Sequence, residues 1–484
     1  MKKILLLTML LCSSFIFGAC SEEANENELA AEQINQIINT ASQVQADNVL
    51  TGEITISTFD SDMSLPFLEE TARLFMHKHP YTIVNVEGFS TPIPLIELES
   101  GAVTSAPVDP AVRPAEQRDY INRINTELMS GRGPDILSMD VLPFHRYAAS
   151  GQLLDLQQFM NNDANFNIND YRANILDAIT TEQGLFMFPL DYIFNFVAFD
   201  SYLMQNTELS YAAYSFYQLF NIARPIWENR DEAMIGIEYT QFFMQNLNMN
   251  FGHFIDLKNR QANFTDGRFV DMLNRIQEYE DTGVLLPQWG TPGWDQSFNS
   301  RRFYTVMPAL ALLHELFEPE DRTIFGGGNT VDNVVFAVLS NEGGQTPFTL
   351  NNALAINANT NYPELAWEFI KFASSATESL QFFTPGLPAN IRAFEARSRR
   401  EVSGDMWNPD WVDTGLTDAQ YDLLNRYLGL VEIFTSALDT YFWQDASLEN
   451  LIWTEVTDNF FNGTQTAEDV AQALQSRINL FLNE

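Results

Sequence analysis

The sequence predicts an α/β protein with a core of parallel strands covered by helices. Two observations support this fold class. Short β-branched runs alternate with amphipathic helical stretches from residue 52 onward. In addition, 45% of the 484 residues are hydrophobic and 38 are phenylalanine, enough to fill a large core. Strand and helix in alternation are typical of parallel sheets, and the length suggests two or three domains.

The predicted elements follow one another as strand, helix, strand, helix, strand. Residues 52–58 (GEITIST) alternate between polar and apolar side chains, which predicts a strand. Residues 65–79 carry an apolar face at helical spacing, and residues 81–89 form the next β-rich run. A helical stretch covers about 120–130. The Gly/Pro turn after it leads into a buried strand that begins at 135.

Ligands of open parallel sheets gather beyond the carboxyl ends of the strands. Phe59 and Asp60 follow the first predicted strand, and Asp140 follows the third. Asp191 and Tyr192 lie between the two β-rich runs of GLFMFPLDYIFNFVAF, which predicts a passage between two parts of the protein. We expect these five residues to contact a ligand, with the carboxylates accepting hydroxyl groups, although aspartates are also typical of caps and turns.

Three tryptophans lie in segments that are unusual for a purely structural aromatic residue. Trp289 and Trp294 lie in the Gly/Pro-rich segment QWGTPGWDQSF, and Trp443 lies beside a glutamine and an aspartate in YFWQD. Sugar rings can stack their C–H faces on an indole ring, with a gain of about 1 kcal/mol by analogy with aromatic pairs. Amides and carboxylates can pair with sugar hydroxyls. Burial in the core is the alternative for each tryptophan.

The N-terminus predicts a lipoprotein signal at residues 1–19. Two lysines precede an apolar run that is shorter than the ~20 residues needed to cross a bilayer. The sequence FGAC resembles a bacterial lipobox, which implies cleavage before Cys20 and a diacylglyceryl group on its thiol. Two acyl chains suffice for stable attachment, so we expect residues 20–51 to be an acidic tether on the outer face of the cell membrane. An ordinary signal peptide is the alternative.

Charge and missing motifs exclude several classes of function. A formal net charge of −38 argues against nucleic acid as a partner. The segment HELFE (314–318) lacks the second histidine of a helical zinc site. We expect no metal, no cofactor and no catalytic residue. A surface hydrolase with two facing carboxylates remains the enzymatic alternative.

Several segments in a fixed order resemble one known family. They are LFMHKHPYTIVNVE, GRGPDIL, FHRYAASGQLLDL (144–156), GLFMFP, FDSYLM (199–204), TLNNALAINANTNYPELAWEFIKFASS (349–375), GLPAN (386–390) and the closing stretch 449–484. Together they are similar to extracellular solute-binding proteins of the sugar-binding group that serve ABC importers. Asp200 stands where family members usually have asparagine, a mild departure from the pattern.

The resemblance implies a two-lobe, periplasmic-binding-protein-like fold of type II, with the ligand in a cleft beside the hinge. It implies an N-terminal lobe of 52–191 continued by 342–386, and a C-terminal lobe of 192–341 continued by 387–484. We expect a monomer that binds a carbohydrate, preferably an oligosaccharide, and delivers it to the permease subunits of an ABC transporter. The strong negative charge leaves a polyamine or peptide ligand open, and an adhesive surface protein is a further alternative.

Overall fold

The computed structural model describes residues 49–61, 64–97, 103–105, 112–200, 213–227, 234–257, 259–286, 307–308, 334–375, 386–403, 414–442 and 445–483. The chain divides into two units, Met1–Thr51 and Gly52–Glu484, and all the elements below belong to the second unit. None of the helices among these residues is long and apolar enough to cross a membrane.

The described strands are short except for β1, β2, β7 and β14. In chain order they are β1 (Gly52–Thr58), β2 (Thr82–Gly88), β3 (Leu95–Glu97), β4 (Val103–Ser105), β5 (Ile136–Ser138), β6 (Phe188–Pro189), β7 (Asp191–Asp200), β8 (Ala213–Tyr214), β9 (Ile235–Glu238), β10 (Ile255–Asp256), β11 (Gln261–Ala262), β12 (Leu285–Leu286), β13 (Met307–Pro308), β14 (Val334–Leu339), β15 (Pro347–Thr349), β16 (Ala353–Ile356), β17 (Leu387–Pro388) and β18 (Thr440–Tyr441).

Helices connect these strands and cover their faces. The described α-helices are α1 (Ser64–Lys78), α2 (Val112–Met129), α3 (Phe144–Ala149), α4 (Leu156–Asn162), α5 (Ala173–Ile179), α6 (Phe216–Trp227), α7 (Tyr239–Met249), α8 (Phe251–Phe254), α9 (Arg268–Asp281), α10 (Pro363–Ser374), α11 (Ile391–Val402), α12 (Asp418–Ser436), α13 (Ala446–Glu455) and α14 (Ala467–Asn483). A π-helical stretch, Val456–Phe461, extends α13.

The first sheet has five strands in the order β2-β1-β5-β16-β6. Strand β1 pairs in parallel with both β2 and β5, whereas β16 is antiparallel to β5 and β6. The predicted parallel sheet with its covering helices is therefore confirmed for this part of the chain. Ile54 and Ile56 of β1 are fully buried while Glu53 is exposed, which is the alternation that predicted the strand.

Two elements differ from their predicted bounds. Helix α2 begins at Val112, well before the predicted start near 120. Its first two turns are mostly polar, and its buried residues are Tyr120, Ile124 and Leu128. An apolar periodicity is therefore visible only in its second half. Of the β-rich run at 184–189, only the end forms a strand, β6. Gly184, at the start of this run, instead forms a bridge with Thr181 and has a positive φ of 143°.

The second sheet is built around β7. Its main path has the order β18-β15-β7-β14-β8, and β13 and β17 also pair with β7. An aromatic core lies against this sheet, and it joins residues of helices α6, α7, α9, α13 and α14. Within it, the ring of Phe220 stacks on that of Tyr279 with centroids 4.1 Å apart. The first sheet has its own core, in which Phe75 of α1 meets Phe369 of α10 edge to face.

The chain passes between the two sheets at adjacent points. Strand β6 belongs to the first sheet and β7 to the second, so Leu190 lies at one passage. Strand β15 pairs with β7 and β16 with β5, so residues 350–352 form another passage in the opposite direction. Strand β17 pairs with Tyr192 and Asp191 at the start of β7. Two α/β halves are therefore joined by closely packed connecting segments.

Candidate functional site

Three of the predicted residues come together at the carboxyl end of the first sheet. The carboxylate of Asp140 accepts hydrogen bonds from the Thr58 hydroxyl (3.2 Å), from the backbone N–H of Asp60 (3.4 Å) and from that of Val141 (3.1 Å). The ring of Phe59 is buried beside them. The ends of β1 and β5 thus lie at one edge of the sheet, as predicted from the sequence. Ligand contact by these residues remains a prediction.

Asp140 has an unusual protonation equilibrium. Burial raises the pKa of its carboxyl group to about 6, and the nearby charge of Asp60 acts in the same direction. The donated backbone and hydroxyl hydrogen bonds oppose this rise without cancelling it. Three hydrogen bonds leave the carboxylate with further acceptor capacity. Asp140 can therefore accept a hydroxyl group near neutral pH and loses part of that capacity in mild acid.

Asp191 occupies a different environment. It is fully buried, and its two carboxylate oxygens accept hydrogen bonds from the backbone N–H of Asn352 (3.1 Å) and from the Nδ2 of Asn352 (2.7 Å). The Oδ1 of Asn352 in turn accepts from the hydroxyl of Ser64 at the start of α1 (3.0 Å). This network joins both passages between the sheets to a first-sheet helix, which favours a structural role. Its predicted contact with a ligand stays a prediction.

Tyr192 is also fully buried. Its hydroxyl group lies 2.9 Å from the hydroxyl of Thr435 in α12. Burial raises the pKa of the phenol, so the group stays neutral at ordinary pH. The buried guanidinium of Arg172 lies close to the same ring and forms an ion pair with Glu432 of α12 (2.7 Å). Tyr192 thus helps to hold α12 against the passage. The predicted ligand contact of this residue, too, remains a prediction.

The three predicted tryptophans, Trp289, Trp294 and Trp443, lie outside the described residues, as does the HELFE segment. On either side of the third tryptophan, the nearest described residues are Phe442 and Asp445. Phe442 is buried, and Asp445 caps α13 by accepting hydrogen bonds from the backbone N–H groups of Ser447 and Leu448.

A cavity of about 240 Å³ opens beside β7 and the passage at 350–352. Its polar lining consists mainly of amide side chains and its apolar lining of aromatic rings. The amides are those of Asn195, Asn248 and Asn351, the rings are those of Phe194, Phe348 and Phe442, and the remaining lining residues are Ile193, Met249, Pro347, Thr349 and Leu350. Among these described residues, none carries a charged side chain. The cavity therefore suits a neutral group that has both hydroxyls and apolar faces.

The amides reach this cavity from three separate segments. Asn195 follows Phe194 on β7, Asn248 lies in the last turn of α7, and Asn351 lies between β15 and β16. The Oδ1 of Asn248 is shielded from solvent and has no hydrogen-bond partner among the described residues. Leaving such an acceptor unpaired costs about 1–3 kcal/mol. The predictions from sequence did not include this cavity, although TLNN (349–352) was among the segments that resemble the family.

The two halves also touch away from the passages. The guanidinium of Arg146, in α3, lies 5.9 Å from the ring centroid of Phe481, in α14. Helix α2 contacts α13. The Oε1 of Glu449 in α13 is shielded from solvent and has no hydrogen-bond partner among the described residues. Burial and the charge of Asp445 raise the pKa of Glu449 to about 7. Helix α13 therefore carries an acidic group that titrates near neutrality.

A larger cavity of about 440 Å³ lies at the far ends of α1 and α10. Its basic groups include Lys371 and Arg392, but these form ion pairs with Glu368 (2.6 Å) and Asp170 (3.2 Å). It also lies away from the strand ends where the predicted residues meet. We therefore place the candidate site at the 240 Å³ cavity.

Within the described part of the chain, no group of three or more His, Cys, Asp or Glu side chains could hold a metal ion.

The sequence matches the profile of one known protein family. Residues 112–378 match the sequence profile of a family described as "Bacterial extracellular solute-binding protein". No curated protein matches the chain.

Solved structures share the fold at low sequence identity. A family 1 extracellular solute-binding protein from Alicyclobacillus acidocaldarius has a TM-score of 0.57 at 15% identity, over 90% of this chain and 99% of that one. The sugar-binding protein MalE from Xanthomonas citri has a TM-score of 0.58 at 14% identity, over 89% and 98%. An ABC substrate-binding protein from Listeria monocytogenes, in complex with cycloalternan, has a TM-score of 0.51 at 15% identity, over 90% and 100%. The two-lobe α/β fold expected from the resemblance is confirmed.

Proposed function

The chain belongs to the bacterial extracellular solute-binding protein family, and we propose that it captures a carbohydrate outside the cytoplasm for an ABC transporter. The observation that carries this proposal is the uncharged cavity of amides and aromatic rings beside β7. Amides pair with hydroxyl groups, and rings pack against the C–H faces of a sugar. The relatives with this fold include a complex with cycloalternan and an oligogalacturonide-binding protein from Yersinia enterocolitica, which supports an oligosaccharide as ligand.

We place the binding cleft between two half-sites. The first lobe would contribute Phe59, Asp60 and Asp140 from its strand ends, and the second lobe would contribute the amide cavity. A ligand that contacts both lobes favours the closed form, because it binds that form better than the open one. The closed form would then deliver the ligand to permease subunits. The protein would act as a monomer, without a cofactor and without catalysis.

The lobes proposed from the sequence are 52–191 with 342–386 and 192–341 with 387–484. Because β15 pairs with β7, we move the second crossing from about 342 to residues 350–352. The connecting segments meet at Asp191, which we propose as part of the hinge.

We further propose that lipid on Cys20 anchors the protein to the membrane and that residues 20–51 are the tether. The lipobox-like FGAC sequence supports this proposal. Replacing the thiol in Cys20→Ser should abolish labelling by radioactive palmitate and release the protein from the membrane fraction. Labelling that persists in Cys20→Ser would contradict it.

The alternative ligand is a polyamine or a peptide, which the net charge of −38 favours. Binding of a cationic ligand weakens as salt is added, because the charges are screened. Binding of a neutral sugar should change little between 50 and 500 mM salt.

A panel of ligands tests the proposal directly. Purified protein is titrated with neutral oligosaccharides, oligogalacturonides, spermidine and short peptides, and both the melting temperature and the tryptophan fluorescence are recorded. We expect at least one oligosaccharide to raise the melting temperature, since a ligand that binds only the folded state stabilises it. If only spermidine or a peptide does so, the carbohydrate assignment fails.

A further inference from the structure

We propose that Asn248 is a specificity-determining residue that accepts a hydrogen bond from a hydroxyl group of an uncharged sugar ring. The chain would then select neutral sugars over uronates and over cationic solutes. This inference rests on the carbohydrate capture proposed above, and it adds the chemical class of the ligand and the residue that reads it.

The first step is the state of the Asn248 side chain. It lies in the last turn of α7 and lines the 240 Å³ cavity, yet its Oδ1 is shielded from solvent and has no partner among the described residues. Buried polar atoms in folded proteins nearly always have a partner. Asn246, two residues earlier on the same helix, shows the usual situation, because its Nδ2 donates to the carbonyl oxygen of Phe242 (2.8 Å). A donor supplied by a ligand would give the Oδ1 of Asn248 the partner that it lacks.

The second step is the charge of the lining. The described residues around the cavity carry amides, one threonine hydroxyl and apolar groups, and none of them is charged. A uronate carboxylate is best held by Arg or Lys, and burying it here without such a partner would be costly. An ammonium group inside this cavity would likewise lack a carboxylate among the described lining residues. A neutral hydroxyl group needs only amides of the kind that Asn195, Asn248 and Asn351 provide.

The third step is size and shape. Sites for drug-sized ligands enclose about 300–1,000 Å³, so a cavity of about 240 Å³ suits a single sugar ring. The rings of Phe194, Phe348 and Phe442 among its lining can pack against the C–H faces of such a ring. The rest of an oligosaccharide would extend out of the cavity.

The test compares two replacements of one side chain. In Asn248→Leu the acceptor is lost at similar volume, whereas Asn248→Asp keeps an acceptor and adds a charge. Gln241→Leu is the matched control, because it removes an exposed amide from the same helix. Dissociation constants are measured by calorimetry for the tightest neutral oligosaccharide of the panel, for trigalacturonate and for spermidine. Melting temperatures without ligand show that each variant folds.

We expect the wild type to bind the neutral sugar at least tenfold more tightly than trigalacturonate or spermidine. Asn248→Leu should raise the dissociation constant of the neutral sugar about tenfold and Asn248→Asp less than threefold. Gln241→Leu should leave it unchanged. Asn248→Asp should also improve spermidine binding. Equal binding of the sugar by wild type and Asn248→Leu would overturn the inference while leaving carbohydrate capture intact. A wild type that binds no sugar would overturn both.

Discussion

The carboxylate of Asp191 and the side-chain amide of Asn352 form a hydrogen bond of 2.7 Å between residues 161 positions apart. Both residues are buried, and each lies at a point where the chain passes from one sheet to the other. A second hydrogen bond of 3.1 Å, from the backbone N–H of Asn352, leaves this contact little freedom to slide. The connecting segments are therefore hydrogen-bonded to each other at the place that we propose as the hinge between the lobes.

Replacing Asp191 should destabilise the protein strongly. Asp191→Ala leaves both the backbone N–H and the Nδ2 of Asn352 unpaired in a buried place. We expect the free energy of unfolding to fall by about 3 kcal/mol. Urea denaturation followed by fluorescence measures this change. The exposed Asp177→Ala is the control and should change stability by less than 0.5 kcal/mol, about the limit for ordinary surface sites. If Asp191→Ala lowered the free energy of unfolding by less than about 0.5 kcal/mol as well, the structural role of the Asp191–Asn352 pair would be refuted.

Two glycine substitutions should have opposite effects. A Cβ at Gly386 would lie 2.5 Å from the Oδ1 of Asp191, an oxygen that already accepts a hydrogen bond from the backbone N–H of Asn352. Gly386→Ala should therefore destabilise the protein by about 1–3 kcal/mol. At Gly429, inside α12, a Cβ meets nothing within 4 Å, so Gly429→Ala should stabilise by about 0.5–1 kcal/mol. Melting curves of both variants show whether each substitution lowers or raises the melting temperature. A higher melting temperature for Gly386→Ala would show that the passage is loosely packed.

Ligand affinity should depend on pH through Asp140. Its pKa is raised to about 6, so its carboxyl group takes up a proton and becomes a poorer acceptor as the pH falls through that value. We expect the affinity for a neutral sugar to fall several-fold between pH 7.5 and pH 5. Asp140→Asn should bind more weakly at pH 7.5 and lose most of this dependence. An affinity that is flat with pH in the wild type would remove Asp140 from the site.

Glu449 should make the folded protein less stable as the pH rises. Its pKa is raised to about 7 in the folded state, so the folded protein holds a proton that the unfolded chain releases near the ordinary value of 4.5. Stability therefore declines between about pH 4.5 and 7. Glu449→Gln should gain about 3 kcal/mol at pH 8 and almost nothing at pH 4.5. The exposed Glu395→Gln is the control, and equal gains for both variants at pH 8 would contradict the assignment.

The first half of the fold could be predicted from sequence because its signals are local. The sequence of β1 alternates polar and apolar side chains, with Ile54 and Ile56 buried, and α1 carries an apolar face, so both are visible in short windows. The meeting of Asp60 with Asp140 was predictable as well, since parallel strands end at one edge of a sheet. The start of α2 was not, because its polar first turns carry no periodicity.

The amide cavity and the fastening of the hinge could not be predicted in the same way. Asn195, Asn248 and Asn351 come from a strand, a helix and a connecting segment, and no spacing in the sequence relates them. Asp191 resembled a ligand-binding carboxylate because it follows a β-rich run. Its burial against Asn352 depends on a strand pairing that only the three-dimensional structure contains.

A crystal structure of the protein with the tightest oligosaccharide of the panel tests the central claim most directly. We predict one sugar ring in the cavity beside β7, with a hydroxyl group donating to the Oδ1 of Asn248, and a neighbouring ring within hydrogen-bond distance of Asp60 or Asp140. A sugar bound instead in the larger cavity near Arg392, or one that touches a single lobe only, would contradict the proposal that two lobes close around a neutral carbohydrate.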